Sequence, residues 1–190
     1  VLRLRGLACL HASAVAIEDQ AIALMAPPGY GKSTLAAAFA AAGSPVLTDD
    51  ILLLTEQEGC FTVWPSYPQI RLLPEAVETV FGRRGAVPRL LPSRPNGAKR
   101  ILLLTGDGLR FAGAPYRLGA IYTGFESDRI AGTRIEGLSG AARFLSMCAN
   151  IYMPQIADAQ MHRSHFHILQ RCALQIPVRC IQTPDRSRMG

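Results

Sequence analysis

The residues best suited to chemistry stand in one run, Ala26-Pro27-Pro28-Gly29-Tyr30-Gly31-Lys32-Ser33-Thr34. Glycines let a backbone curl until its N–H groups face inward, where they can hold phosphate oxygens. A lysine at the end of such a loop reaches β and γ phosphates, and the serine after it can ligate magnesium. A helix starting there adds a favourable dipole. Pro28, Gly29, Tyr30, Gly31, Lys32, Ser33 and Thr34 are therefore the expected nucleotide-contacting residues. Ala26 stands where the usual pattern has its first glycine, and is the smallest replacement for it. The plainer alternative is a glycine turn that caps a helix and binds nothing.

Asp49-Asp50 is the second feature. Adjacent carboxylates can divide labour, one holding a metal ion and the other taking the proton of an attacking hydroxyl, provided the backbone turns both toward the phosphates. In a regular strand they face opposite ways, so this reading requires an irregular strand; a polar turn is the alternative. His11 is the third. A strand neighbouring the loop strand would bring its imidazole beside the transferred group as proton shuttle or charge partner. Lys99-Arg100 could deliver a cation to the triphosphate. His162, His165 and His167 share one predicted helix, but no two are four apart, so they are expected on the surface rather than on a metal. Trp64 and Tyr67 offer either an aromatic platform or core packing.

The elements that must position these residues follow from the apolar pattern. From His11 to Glu18 small and apolar residues dominate, Glu18-Asp19-Gln20 reads as a turn, and Ala21–Ala26 reads as a buried strand. Lys32–Ala42 is an alanine-rich helix, with Gly43 suited to its C-terminus. Pro45–Thr48 and Ile51–Thr55 form a strand-like run that contains the acidic pair. Cys60–Trp64 is a strand, and Pro74–Phe81 is a helix with proline at its first position. Gly82–Gly97 lacks periodicity and reads as a mobile loop. Arg100–Thr105, Arg110–Phe111, Leu118–Phe125 and Val178–Gln182 read as strands, and Ser139–Tyr152 and Asp158–Leu174 as helices. The class is α/β with a substantial antiparallel share.

The 190 residues, 49% of them hydrophobic, fit one domain spanning 1–190. The chain opens in a strand-like run, Val1–Leu4, without an initiator Met, and is expected to be a trimmed domain or fragment. No apolar run approaches membrane-spanning length, so no membrane role is expected. Five scattered cysteines without a C-x-x-C pair argue against a disulfide framework and a zinc site and fit the cytoplasm. The net charge of +6 comes from dispersed arginines without aromatic interleaving, which argues against nucleic acid.

Leu10-His11-Ala12-Ser13-Ala14-Val15, the loop with Gly31-Lys32-Ser33-Thr34, and Leu47-Thr48-Asp49-Asp50, in this order and spacing, resemble the catalytic domain of HPr kinase/phosphorylase. That family's fold is similar to the nucleotide domain of phosphoenolpyruvate carboxykinase. The resemblance implies a P-loop α/β domain of this type, with a mixed sheet and flanking helices, that uses ATP and Mg2+. It implies that Lys32 binds phosphate, Ser33 and Asp50 serve magnesium, and Asp49 is general base toward an acceptor serine with His11 nearby. Tyr67-Pro68-Gln69-Ile70-Arg71-Leu72 looks like the family's Glu-Ile-Arg-Gly segment, which makes Arg71 a candidate active-site cation. Gln69 and Leu72 depart from that pattern, a difference that bears on any phosphorylase activity. The resemblance covers Leu10 to Arg71 and is looser beyond. HPr kinases proper carry an N-terminal domain and form hexamers. This chain looks more like the smaller HPr-kinase-like proteins, including kinases of lasso precursor peptides, so the implied partner is a serine-containing peptide or an HPr-like protein, with a homo-oligomer left open. Two rivals stand beside the kinase: a degenerate ATP-binding scaffold, and a hydrolase in which Asp49 activates water.

Overall fold

The computed structural model describes residues 7–88, 99–106, 108–127, 132–154 and 158–184. Its architecture is mixed α/β, a curled mixed sheet with helices on both faces. The organising unit is the hairpin of β2 (Ala12–Ile17) and β3 (Gln20–Met25), closed by the pair Ile17↔Gln20 with Glu18 in the left-handed region at φ 54°. Both faces of β2 are covered, and that is why its sequence is a continuous apolar run rather than an alternation. Strand β11 (Tyr116–Ser127) runs parallel to β3 on one side. On its other side it is antiparallel to β6 (Cys60–Trp64) at its start and parallel to β13 (Val178–Pro184) further on.

The strand order is β1-β5-β6-β11-β3-β2-β4, where β1 is Ala8–Leu10, β4 is Val46–Thr48 and β5 is Leu52–Gln57. In sequence β1 is separated from β2 by His11 alone, and β4 from β5 by residues 49–51. Strands so far apart in the order can be so close along the chain only if the sheet curls until its two ends meet. His11 and Asp49-Asp50 are the links across that seam.

Alternate side chains of the hairpin face opposite layers. Val15 and Leu24 meet α1 (Lys32–Ala41), α2 (Pro74–Phe81) and the small sheet of β7 (Gln69–Leu72) and β8 (Arg100–Leu103). Ala14, Ala16, Ala23 and Met25 meet α3 (Gly140–Cys148) and α4 (Ala159–Gln175). A second small sheet pairs β9 (Thr105–Gly106) with β10 (Leu109–Arg110), and β12 (Arg134–Gly137) pairs with β13. Alanines 36, 37 and 40 are fully buried and bring α1 close onto the sheet. Replacing Ala40 with leucine overpacks this contact. The expected loss is about 1–3 kcal/mol in denaturant unfolding.

The structure departs from the sequence reading in four places. The helix expected over Ser139–Tyr152 ends at Cys148, because the backbone beyond turns to bond the sheet edge: His11 N–H donates to Asn150 O at 2.6 Å and Tyr152 N–H to Cys9 O at 3.0 Å. The loop expected to be mobile from Gly82 is packed in its first part, with Val87 in the core and Arg84 bonded to Glu78 at 2.7 Å. Its remainder falls outside the described residues, as does Val1–Leu4. Strands β1, β7 and β12 were not anticipated. His165 is buried, not on the surface, with its Nε2 at 3.2 Å from Leu7 O, while His162 and His167 are exposed. Among the described residues no helix is long and apolar enough to cross a membrane.

Candidate functional site

Strand β3 delivers the chain into residues 26–31, and α1 leaves them at Lys32. Gly29 (φ 89°) and Gly31 (φ 86°) both hold the left-handed conformation, which is what the loop needs glycine for. Gly31 is the N-cap of α1, and no side-chain oxygen caps that end. The first N–H groups of the helix are thus left for a ligand, in the geometry that favours an anion. Lys32 lies over the start of the loop, its Nζ donating to Ala26 O at 2.6 Å and Pro27 O at 3.3 Å. Burial pushes its ammonium below the usual lysine range, opposed by the nearby carboxylates of Asp50 and Asp49; Lys99 pushes it further down.

At the seam, Asp50 has φ 80°, so the chain is not a regular strand there. The left-handed residue turns both carboxylates into one site, meeting the condition that two roles impose. Thr48 braces the turn, its hydroxyl donating to Ile51 O at 2.6 Å and lying 2.7 Å from the Ser66 hydroxyl.

The two acids have unlike surroundings. Asp49 is 3% exposed and accepts from three donors: Ser13 Oγ at 2.7 Å and Ser33 Oγ at 2.8 Å on Oδ1, and Arg71 N–H at 3.1 Å on Oδ2. The Asp50 side chain is 38% exposed, with His11 Nδ1 at 3.7 Å and an Arg71 guanidinium nitrogen at 4.0 Å. His11 Nδ1 also lies 3.2 Å from Asp50 O, and its ring stacks toward Tyr152 at 6.4 Å. Burial raises the pKa of the Tyr67 phenol, opposed by Arg71, with Asp50, Tyr152 and Asp49 raising it further, so Tyr67 belongs to the same electrostatic cluster.

His11, Lys32, Ser33, Asp49, Asp50 and Arg71 thus come together. Within them Ser33 donates to Asp49 rather than to Asp50, whose side chain is the more exposed of the two. A hydroxyl and a carboxylate side by side are hard oxygen donors and fit magnesium, which takes few protein ligands. Among the described residues no group of three or more His, Cys, Asp or Glu side chains could hold a metal ion. Trp64 is neither core nor part of this cluster; its ring N–H donates to Thr55 at 2.8 Å and it is largely exposed. Sequence reasoning missed Ser13 and Tyr152. Ser13 carried a signal, as the one hydroxyl in the apolar run of β2, whereas Tyr152 was hidden inside an overextended helix.

No known family profile matches the chain, and no curated protein matches it. Among solved structures it is similar to the Hpr(Ser) kinase/phosphatase from Coxiella burnetii, at 14% identity and a TM-score of 0.47, over 94% of this chain and 87% of that one.

Proposed function

We propose that this chain is an ATP- and magnesium-dependent kinase that phosphorylates a serine hydroxyl of a peptide or small protein. The observation that carries the proposal is the seam itself, where two adjacent acids, one buried against Ser33 and one open beside His11 and Arg71, meet the glycine loop and Lys32. Their environments separate their roles. Asp49 with Ser33 holds magnesium, which when bound neutralises charge on the β and γ phosphates. Asp50 is the general base, because an acceptor can reach it.

The loop amides and the first turn of α1 hold the triphosphate, and Lys32 exchanges its carbonyl partners for phosphate oxygens. The acceptor Oγ attacks the γ phosphorus in line while its proton passes to the Asp50 carboxylate. The bond from that phosphorus to the β–γ bridging oxygen breaks, and its electron pair leaves with ADP. His11 orients Asp50, and Arg71 faces the charge that spreads over the equatorial oxygens.

Intact-mass spectrometry of serine peptides incubated with the protein, ATP and magnesium tests this. One added phosphate on the peptide is expected; free phosphate without a labelled peptide points to hydrolysis, and bound ATP with neither product to a scaffold. Nucleotide affinity is also expected to depend on pH. Burial lowers the Lys32 pKa in the free protein, and bound phosphates raise it, so binding takes up a proton wherever the free lysine is neutral. Affinity therefore falls as pH rises above the lowered value of the free lysine, and calorimetry in buffers of differing ionisation enthalpy reads the uptake.

A further inference from the structure

Beside the loop lies a cavity of about 430 Å3 lined by His11, Ala26 and Pro27 on one side and by Ala149, Ile151 and Tyr152 on the other. Its far wall exists because α3 stops at Cys148 and the chain turns back to bond β1, with Ile151 bridged to Leu10. The volume lies within the range of small-ligand sites and is ample for a large side chain. Among the described residues, none of those lining it apart from His11 and the Tyr152 phenol carries an ionisable acid or base.

The position of the cavity along the phosphate chain decides what it can hold. Lysines of such loops reach the β and γ phosphates, and Lys32 Nζ rests on the carbonyls of Ala26 and Pro27. The γ end therefore lies over the start of the loop, and the nucleoside leads away along Ser33 and Thr34. A cavity sharing Ala26, Pro27 and His11 with that end lies on the acceptor side, where an in-line hydroxyl must arrive.

We propose that this cavity is an acceptor subsite that takes an aliphatic or aromatic side chain adjacent to the serine to be phosphorylated, so that the substrate is a peptide segment with an apolar residue beside its serine. The inference rests on the kinase reading for its orientation. Tyr152 serves twice, stacking toward His11 and forming a wall of the cavity, so filling the subsite also covers His11.

The test uses the full chain with magnesium and a non-hydrolysable ATP analogue. Two dye-labelled peptides are compared by fluorescence anisotropy, identical except for leucine or aspartate on both sides of a single serine. The leucine peptide is expected to bind at least about tenfold more tightly, the low end of what an apolar pocket discriminates. Ala149→Trp, which fills the cavity from its exposed rim, is expected to erase the difference. Met153→Trp, placing bulk at the mouth, gives the same result should the Ala149 variant fail to fold. Equal or undetectable binding of both peptides overturns the subsite, as does a preference that survives both variants. Phosphate incorporation with ATP is read in parallel. A leucine preference in binding without any transfer leaves the subsite standing and sinks the kinase; transfer with no preference in binding does the reverse.

Discussion

Asp50→Asn lowers phosphoryl transfer by about 10²–10⁴-fold, the usual contribution of a positioned general base, while nucleotide affinity changes by no more than a few fold. Asparagine keeps the shape of the side chain and the left-handed backbone, which asparagine tolerates better than most residues. What it removes is the lone pair that receives the serine proton. Because Asp50 is open to solvent and bonded to no loop residue, the fold and the nucleotide site keep their other contacts. A loss confined to kcat, measured with a peptide already shown to accept phosphate, is the expected outcome. A variant that transfers phosphate at the parent rate would move the base elsewhere. His11→Ala is expected to give a smaller loss, since the carboxylate remains and only its orientation relaxes.

Asp49→Ala acts on both fold and binding. It strips the acceptor from three buried or half-buried donors on three different segments: Ser13 in β2, Ser33 in α1 and Arg71 in β7. The two hydroxyls can turn to other partners, but the Arg71 N–H cannot. With the Arg71 N–H left without its acceptor, the expected cost is about 1–3 kcal/mol in denaturant unfolding. The same variant loses the carboxylate that fits magnesium, so magnesium no longer tightens nucleotide binding, as calorimetry with and without the metal would read. Asp49→Asn separates the effects. An amide reoriented toward the two hydroxyls recovers much of the stability and none of the metal dependence. Stability loss without any change in metal dependence would reduce Asp49 to a structural brace.

The two acids show what could be read from sequence and what could not. That Asp49 and Asp50 would lie near Lys32 followed from motif order, and the loop glycines announced their conformation through residue type. Which acid would face Ser33 did not follow from that order: the strand alternation breaks at Asp50, with φ 80°, and no side-chain pattern records the sign of φ at an aspartate. The hairpin β2–β3 was legible because its apolar run and turn lie close together in sequence. Strand β7 was not, since Gln69–Leu72 is a strand only by virtue of pairing with Arg100–Leu103 across a long stretch of chain. Likewise Ala149 to Tyr152 continue the helical pattern of α3. They leave it because Asn150 and Tyr152 find partners on residues 9–11, a tertiary preference that local propensity does not contain.

The curled sheet has a consequence for how this chain can vary. Its two ends are joined by a single residue at His11 and by three at positions 49–51. Strand faces alternate, so one inserted or deleted residue in the second link would turn Leu52 and Leu54 from the core to solvent and bring Leu53 inward. Side chains at these crossings can change with the chemistry required of them, but the number of residues cannot. The two crossings act as a ruler for the molecule, and sequences sharing this arrangement should vary in letters there while keeping their count.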